Sequence, residues 1–499
     1  MGKSVIIVGA GIAGLSAGCY SRKNGFQTTI IESHSIPGGL CTAWKRKGYT
    51  FDISMHLVTG SIKGAHNQMW KELGVTDSIK FHVHNHYAMI DGGKEKLFYK
   101  TDKDSVRDQM LRISPEDEKL IKKFSQMIFG PDILDAASLK PAELRTFSDK
   151  IKVIPKILPL FKYFLTESRN TLQGFAASFK NSFLKDAVRF IADGPGWPMP
   201  EYPMLALAGF INSTVTKSGV PLGGSQAVAN KVAELFESLG GVFKYKSYVK
   251  ELLIDNDRVT GIRLEDNSEY HADYVIWAGD GHNLIFNILK SKYLDDKIRN
   301  MYASWTPVKP IVHVMMGVNR DFSQEPHRII FKPENVREIA GEKREWLCML
   351  HHSFDKSMAP EGKSVVEVWY DSDYDYWENL YKDKNKYKAE KQLIADYTVS
   401  ELEMRYPGFK DQIEVLDVPT PITYKRYTDN WKGSPDGWYL TNANISNGEP
   451  VHKLPGLENL YTAGQWTGPY TGTVVAALSG RQAIELICHK EKIKFSSGT

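Results

Sequence analysis

Apolar positions near the amino terminus follow the pattern of a strand, a helix and a second strand. A strand is predicted over residues 3–8, whose last four positions are all apolar, as in a parallel sheet covered on both faces. A helix is predicted over residues 13–24, and the next strand, residues 28–32, ends in the acidic residue Glu32. This order of elements is typical of the nucleotide-binding unit of a doubly wound α/β domain.

Later apolar patterns predict a second layer of a different kind. Residues 310–318, 346–351 and 365–370 are rich in β-forming residues, which suits a mixed or antiparallel sheet. Residues 116–129 and 384–405 have the apolar spacing of amphipathic helices. We therefore expect an α+β domain beside the nucleotide-binding one.

The chain of 499 residues is long enough for two substantial cores, and the two domains are expected to alternate along it. Glycine motifs and parallel-strand runs fall in residues 1–75, 218–285 and 440–492, which are predicted to form one discontinuous domain. Residues 76–217 and 286–439 are predicted to form the second domain. A ligand bound at the junction would contact both domains.

The turn between the first strand and the first helix carries the spacing G-x-G-x-x-G. Gly9 permits the tight turn, Gly11 lets the backbone approach a pyrophosphate, and Gly14 lets the helix pack closely on the strand. The helix N-terminus offers amide groups and a partial positive charge to phosphates. Glu32 is placed to accept hydrogen bonds from an adenosine ribose, and its charge argues against a 2′-phosphate. A dinucleotide cofactor is predicted.

The segment after the second strand favours FAD over NAD. Gly38 and Gly39 follow Glu32 closely, and residues 48–52 continue the same segment. Paired glycines let the backbone pass close to a second part of a long cofactor. The alternative is an ordinary Pro-Gly-Gly turn.

A second half of the cofactor site is predicted near the carboxyl end. Residues 457–464 form a strand pattern that ends in Gly464. Gly472 follows, and a helix is predicted over residues 473–489. Its N-terminus would face an electron-rich group, such as the isoalloxazine carbonyls of FAD. The alternative is a closing strand–helix element with capping glycines.

Composition and charge exclude several classes. Lys and Arg (63) nearly balance Asp and Glu (59), and the net charge of +4 gives no case for nucleic-acid binding. Four scattered cysteines, in no CxxC pair, have no metal-ligand spacing, so no metal site is predicted. No signal peptide and no membrane-spanning run is visible, so a cytoplasmic protein is expected, with membrane association at most peripheral. Eleven tryptophans suit an apolar or planar ligand.

The two ends of the chain then resemble a known family. The strings VIIVGAGIAGLSAGCY, IIESHSIPGGLCTAWKRKGYTFD and LPGLENLYTAGQWTGPYTGTVVAALSGRQAI carry the resemblance. They are similar to bacterial phytoene desaturases, carotenoid isomerases and retinol saturases, which are kin to the amine oxidases. The resemblance implies a Rossmann-like FAD-binding domain of the GR2 type with an α+β substrate domain, and it covers most of the chain.

The resemblance also implies which residues contact FAD. These are Gly9, Gly11, Gly14, Glu32, Gly39, Val249, Gly464 and Thr473, to which their neighbours Ala13, Gly38, Leu40, Ala278, Gly279, Gly472 and Val474 are added. Leu40 is a departure, because many relatives carry Arg after the paired glycines. Cofactor affinity or redox tuning is therefore expected to differ.

Flavin carries the redox step itself, so no catalytic triad is required. His56 is the candidate proton donor or acceptor, because it follows residues 48–52, which we call the flavin-side segment. The alternative is a packing histidine. The sequence around His56 is closer to the retinol saturase pattern, which favours saturation or isomerisation over desaturation. Trp466 and Tyr470 are predicted to form an apolar wall for a conjugated substrate, or to shield the cofactor.

Residues 151–165 combine long apolar side chains with lysines and contain no acid. Such a stretch suits insertion into a bilayer interface. The alternative is a lid or core helix with its lysines on the solvated face. Pro155 and Pro159 are expected to break a continuous helix, which weakens the membrane interpretation.

Three functions are weighed. The first is an FAD-dependent oxidoreductase that adds, removes or shifts carbon–carbon double bonds in a carotenoid-, retinoid- or fatty-acid-like substrate by hydride exchange with flavin N5. The second is a flavin amine oxidase, for which Lys309 is the available lysine. The third is a flavin- or lipid-binding carrier without turnover. Only one complete dinucleotide fingerprint is present, so the sequence leaves open whether NAD(P)H serves as a diffusible reductant.

Overall fold

The computed structural model describes residues 2–54, 57–130, 139–192, 194–447 and 450–498. Its strands are Ser4–Val8, Gln27–Ile31, Ala43–Arg46, Tyr49–Asp52, Phe81–His82, His86–Asp91, Lys96–Lys100, Val220–Pro221, Val242–Lys244, Val249–Asp255, Arg258–Leu264, Glu269–His271, Tyr274–Trp277, Ile311–Val318, Arg328–Phe331, Arg337–Ile339, Glu342–Arg344, Leu347–His351, Ser364–Asp371, Ile413–Asp417 and Leu460–Thr462. Its α-helices are Ile12–Lys23, Ala65–Glu72, Lys103–Ile113, Glu118–Ile128, Phe147–Ile157, Phe161–Glu167, Leu172–Ala177, Ser182–Arg189, Met204–Thr216, Gly224–Ser238, Asp296–Ser304, Tyr374–Tyr381, Lys384–Arg405, Pro421–Thr428 and Thr473–Lys490.

The first layer is a five-stranded parallel sheet with the opening strand, Ser4–Val8, at its centre. The order of the strands is Leu460–Thr462, Tyr274–Trp277, Ser4–Val8, Gln27–Ile31 and Val242–Lys244. The strand from the carboxyl end therefore forms one edge of the sheet that the amino terminus begins. A mixed α/β fold was predicted, and the parallel sheet with its covering helices confirms it.

The two helices beside this sheet contact each other through small residues. A Cβ added to Gly480, in helix Thr473–Lys490, would lie 2.2 Å from the carbonyl oxygen of Ala13, in helix Ile12–Lys23. The hydroxyl of Ser16 donates to the carbonyl of Ala477 at 2.6 Å. This close packing brings the N-termini of the first and last helices to the same part of the molecule.

The second layer is a seven-stranded mixed sheet, as the β-rich pattern predicts. Its order is Ile413–Asp417, Ile311–Val318, Ser364–Asp371, Leu347–His351, Arg328–Phe331, His86–Asp91 and Lys96–Lys100. One pair, Arg328–Phe331 with His86–Asp91, is parallel, and the other pairs are antiparallel. The strands of the two sheets lie in the segments expected for the two domains, whose exact boundaries stay a prediction.

The lysine-rich apolar stretch does not form a core helix, so this part of the alternative is wrong, and the lid stays a prediction. Helix Phe147–Ile157 contains Pro155 and has no buried residue, and a 3₁₀ turn, Leu158–Leu160, joins it to helix Phe161–Glu167. The expected break in the helix lies at the 3₁₀ turn that contains Pro159, whereas Pro155 lies inside the first helix. Among the described residues, no helix combines the length and the apolar composition needed to cross a bilayer.

Candidate functional site

The glycines of the opening turn are required for three different reasons. Gly9 has a φ of 101°, a conformation that side chains disfavour. A Cβ on Gly14 would lie 1.9 Å from the carbonyl oxygen of Gly9, so helix and strand approach too closely for any side chain. A Cβ on Gly11 would meet no atom within 4 Å. The space above Gly11, at the helix N-terminus, is therefore open for a ligand.

The paired glycines lie directly against this turn. The amide of Gly38 donates to the carbonyl of Ala10 at 2.8 Å, and a Cβ on Gly39 would lie 3.2 Å from the Cα of Gly11. Leu40 is half-buried and packs against the apolar cluster that contains Tyr49. Two glycine-rich segments thus form one backbone-lined cradle, which we call the glycine cradle.

The carboxylate of Glu32 lies beside the glycine cradle and is 8% exposed. Its Oε2 accepts a hydrogen bond from the amide of Ala10 at 2.6 Å, and its Oε1 accepts one from the amide of His34 at 2.7 Å. These two bonds hold the acid at the end of its strand. Oε1 also accepts a hydrogen bond from the hydroxyl of Ser33 at 3.2 Å, so it is Oε2 that keeps a further lone pair for a hydroxyl donor.

The segment that leads to Val249 is hydrogen-bonded to the backbone of Glu32. The amide of Ser247 donates to the carbonyl of Glu32 at 2.9 Å, and Val249 then begins the strand Val249–Asp255 with its side chain buried. A segment far away in sequence therefore borders the region where an adenosine is expected.

The carboxyl ends of the central strands bring the remaining glycines to the same edge of the sheet. The amide of Ala278 donates to Val8, and the amide of Ala463 donates to Trp277, both at 2.9 Å. Gly279 and Gly464 follow these residues directly, and Gly464 has a φ of 108°. A Cβ on Gly464 would lie 3.7 Å from that of Ala13.

The last helix begins at Thr473, after Gly472, whose φ is 99°. A Cβ on Gly472 would meet no atom within 4 Å, so the backbone is accessible there. Asp436 fixes the two residues that precede this helix, because it accepts hydrogen bonds from the amide of Gly472 and the hydroxyl of Thr471, both at 2.8 Å. Val474 points into the core. The sequence reasoning missed Asp436, because its distance along the chain from the helix hides the contact.

Trp466 belongs to an aromatic cluster of Trp431, Trp438, Trp466 and Tyr302, in which the ring centroids of Trp438 and Trp466 are 5.2 Å apart. Trp466 also lines a cavity of about 370 Å³ together with Gly279. Tyr470 is 45% exposed and lies outside this cluster. The predicted roles of both residues towards a substrate or the cofactor stay predictions.

The residues present fit a dinucleotide with an acceptor-rich second half. The glycine cradle leaves space at a helix N-terminus, and an acid stands beside it. In the part of the chain that the structure describes, Nε2 of Gln465 and Nε1 of Trp466 are buried donors without an acceptor, and both residues follow Gly464. His56 lies outside the described residues.

A buried polar network, which the sequence did not reveal, connects the flavin-side segment to the seven-stranded sheet. Oδ1 of Asp52 accepts from the hydroxyl of Ser225 at 2.7 Å, at the start of helix Gly224–Ser238. Burial raises the pKa of Asp52 and outweighs these hydrogen bonds and the attraction of His352. Nε2 of His352 lies 2.8 Å from Oε1 of Glu367.

Glu367 is shared by two histidines. Its Oε2 lies 3.0 Å from Nδ1 of His313, whose Nε2 lies 2.7 Å from the hydroxyl of Tyr424. Burial raises the pKa of Glu367, but the hydrogen bonds from His313 and His352 outweigh it and hold the pKa well below its usual range. Burial lowers the pKa of His352, but Glu367 outweighs this and raises the pKa above its ordinary value. Glu367 is therefore ionised at neutral pH, and His352 binds a proton more readily than a free histidine does.

A chamber of about 430 Å³ lies between the seven-stranded sheet and helix Met204–Thr216. Its wall combines apolar side chains with hydroxyl groups, two histidines and one arginine; the lining residues are Leu57, Val83, His84, Tyr87, Thr101, Thr214, Val215, Ser218, His327, Arg328 and Leu350. Burial, and after it the nearby histidines, lower the pKa of His84 to about 3. Its ring is therefore neutral at physiological pH.

This combination of cradle, acid and second helix N-terminus can be compared with known proteins. Residues 12–488 match the model of the family described as flavin containing amine oxidoreductase. The chain belongs to this family. It is accordingly a flavin-dependent oxidoreductase of the amine-oxidase type, and this confirms the family predicted from its sequence. No similarity points to NAD(P)H.

Curated members of the family act on polyenes by name. The chain is 22% identical to chloroplastic prolycopene isomerase of Daucus carota, over 95% of this chain and 78% of the relative. It is 23% identical to the lycopene-forming phytoene desaturase of Pseudescherichia vulneris, over 97% and 99%. It is also 23% identical to all-trans-retinol 13,14-reductase of Danio rerio, over 92% and 82%.

The fold is similar to that of a solved oxidoreductase from Methanosarcina mazei. The TM-score is 0.63 at 15% identity, and the match covers 97% of this chain and 100% of that one. The similarity shows that the two chains share a fold.

Proposed function

We propose that the protein binds FAD and adds, removes or shifts a carbon–carbon double bond in an apolar polyunsaturated molecule of the carotenoid or retinoid type. The single observation that carries the proposal is the glycine cradle at Gly11, with Glu32 beside it and the N-terminus of the last helix held at the same edge of the sheet. A cofactor with an adenosine, a diphosphate and an acceptor-rich ring would use all three. FMN would leave Glu32 without a ribose to bind.

The residues proposed to contact FAD are those expected from the sequence. Gly11, Ala13 and Gly14 would surround the diphosphate, and Glu32 and Val249 would border the adenosine. The remaining positions would line the path to the ring; they are Gly9, Gly38, Gly39, Leu40, Ala278, Gly279, Gly464, Gly472, Thr473 and Val474. When bound, FAD supplies the redox chemistry by exchanging a hydride at N5 with a substrate carbon.

The protein itself must bind the polyene, exclude water and handle one proton. The chamber is the proposed substrate site, because Leu57, a few residues after Asp52, brings the flavin-side segment to its wall. His84 in that wall is neutral, so the guanidinium of Arg328 is the permanent charge among the lining residues. His56 stays the proposed proton donor or acceptor. The relatives named above isomerise, desaturate or reduce polyenes, so the direction of reaction is part of the test.

Lys309, the lysine available for an amine oxidase, lies beside two carboxylates. Nζ of Lys309 lies 2.5 Å from Oε1 of Glu342 and 3.7 Å from Oδ2 of Asp371, and the side chain is 52% exposed. A lysine held by two carboxylates is poorly suited to hold a water above a flavin. The amine-oxidase alternative therefore loses its candidate residue.

The test is anaerobic incubation of FAD-reconstituted protein, oxidised and reduced, with all-trans-retinol, phytoene and prolycopene. Flavin absorbance is followed, and the products are separated by chromatography. We expect a spectral change or a new double-bond isomer with at least one polyene, and, in a separate incubation in air, no peroxide with a panel of amines. Turnover of an amine without any change in the polyenes would overturn the proposal. Ligand binding that leaves flavin and polyene unchanged would indicate a carrier instead.

A further inference from the structure

Seven large apolar side chains are exposed on one short stretch of the surface, which we call the apolar ridge. It comprises Phe147, Ile151, Ile154, Leu158, Phe161, Phe164 and Leu165, each at least 47% exposed. Phe147 reaches 79% and Leu165 reaches 94%. Single exposed apolar residues are ordinary, but a continuous group of this size indicates a binding surface.

The spacing of the ridge follows one face of a helix. Positions 147, 151, 154, 158, 161 and 165 are separated by three or four residues. The helices beneath are anchored at one end: Tyr163 is buried, and its hydroxyl donates to Gln126 at 3.1 Å. The apolar face is thus held away from the protein core by the fold, and it is not a core face that has yet to pack.

The charges around the ridge are almost entirely positive. Lys150, Lys152 and Lys162 are exposed and form no ion pair with any described residue. The two flanking acids are already occupied. Asp149 caps its own helix and pairs with Lys140 at 3.0 Å, and Glu167 is buried and pairs with Lys123.

We propose that the apolar ridge docks the protein onto an anionic lipid bilayer, with the apolar side chains in the acyl boundary and the lysines at the head groups. Lysines flanking an apolar helical face are the composition that interfacial helices use. A second copy of this chain fits less well. A symmetric contact would place the lysines of the ridge against the same lysines of its partner, and the 3₁₀ turn Leu158–Leu160 interrupts the continuous seam that paired helices need.

The position of the ridge connects it to the chamber. Helix Phe161–Glu167 packs on helix Met204–Thr216, and Thr214 and Val215 of that helix line the chamber. One helix therefore separates the bilayer face from the proposed substrate site. An apolar substrate dissolved in the bilayer would have a short path into the protein; this last step rests on the proposed function, and the docking itself does not.

The experiment is flotation of the full chain with vesicles of phosphatidylcholine alone or of phosphatidylcholine with phosphatidylglycerol. We expect binding to the anionic vesicles, weakened by salt. The double variant Phe161→Glu, Leu165→Glu should reduce the bound fraction about tenfold or more. The triple variant Lys150→Glu, Lys152→Glu, Lys162→Glu should lose the preference for anionic vesicles.

The matched control is Leu393→Glu, because Leu393 is 50% exposed on a helix outside the ridge. It should float like the parent protein. Far-UV circular dichroism and thermal unfolding should be the same for all variants. The absence of flotation, or equal flotation of parent and double variant, would overturn the proposal. So would a dimer without vesicles that the double variant dissociates, since a second copy would then cover the ridge. Flotation requires neither flavin nor substrate, so its failure is separate from failure of the proposed function.

Discussion

Oε2 of Glu32 accepts a hydrogen bond from the amide of Ala10 at 2.6 Å, so the acid at the end of the second strand is held by the turn that follows the first. The charge is thereby fixed next to the open space at Gly11. In the proposed FAD site, this relationship would orient an acceptor for the ribose before the cofactor binds. Preorganised groups of this kind bind with little cost in conformational entropy.

Glu32→Gln should weaken FAD binding without weakening FMN binding. The amide keeps the side-chain volume but loses the charge and one acceptor, and a hydrogen bond to a charged group contributes about 1.5–3 kcal/mol, or roughly tenfold to a hundredfold in Kd. Titration of the apoprotein with FAD and with FMN, followed by flavin fluorescence, measures both. Equal losses for the two flavins would show that Glu32 does not contact the adenosine half.

Gly11→Ala and Gly14→Ala should fail in different ways. A methyl group at Gly11 meets no protein atom within 4 Å, so the variant should fold normally and yet bind flavin about tenfold or more weakly. At Gly14 the methyl group would lie 1.9 Å from the carbonyl oxygen of Gly9, so the fold should lose about 3 kcal/mol of stability.

Urea unfolding of both apoproteins, with flavin titration of each, separates these two effects. If Gly11→Ala bound flavin as tightly as the parent protein, the open space there would not be the diphosphate site.

Glu367→Gln should destabilise the protein by about 3 kcal/mol, because it leaves a buried histidine without its charged partner. The pKa of Glu367 is held below its ordinary value of 4.5, so its contribution is present above pH 4.5 and is lost as pH falls further. The pKa of His352 is raised above its ordinary value of 6.5, so its contribution is present below pH 6.5 and is lost as pH rises through the raised value.

The loss should therefore be greatest between pH 4.5 and 6.5, where both contributions are present. Urea unfolding of parent and variant across this range measures it. Glu118→Gln, which removes an exposed partner of Lys122, is the control and should change little. A loss independent of pH would mean that Glu367 and His352 are not an ionised pair.

Lys309→Met should leave flavin reduction by a polyene unchanged. Nζ of Lys309 is held by Glu342 and lies near Asp371, away from the glycine cradle residues, so its loss affects a half-exposed ion pair. Stopped-flow absorbance under anaerobic conditions measures the rate. A strong decrease in the rate of flavin reduction, with normal flavin content, would show that Lys309 takes part in the reaction and would favour the amine-oxidase alternative.

The sequence alone determined the opening unit and its counterpart near the carboxyl end. The first strand, the first helix and the strand that leads to Glu32 have bounds within one residue of those predicted. The reason is that a G-x-G-x-x-G turn depends on local backbone freedom and on apolar runs that are adjacent in sequence. The long helix Lys384–Arg405 was predicted at its observed bounds for the same reason, since its apolar periodicity and its limits are local.

Only the tertiary structure decided what depends on distant segments. Asp436 meets Gly472, and His352 and His313 share Glu367, through strand pairings that leave no periodic signal in the chain. The apolar ridge shows the limit most clearly. Helical spacing of apolar residues is the same for a face covered by protein and for a face that remains exposed, because periodicity records which side chains share a face and not what that face contacts.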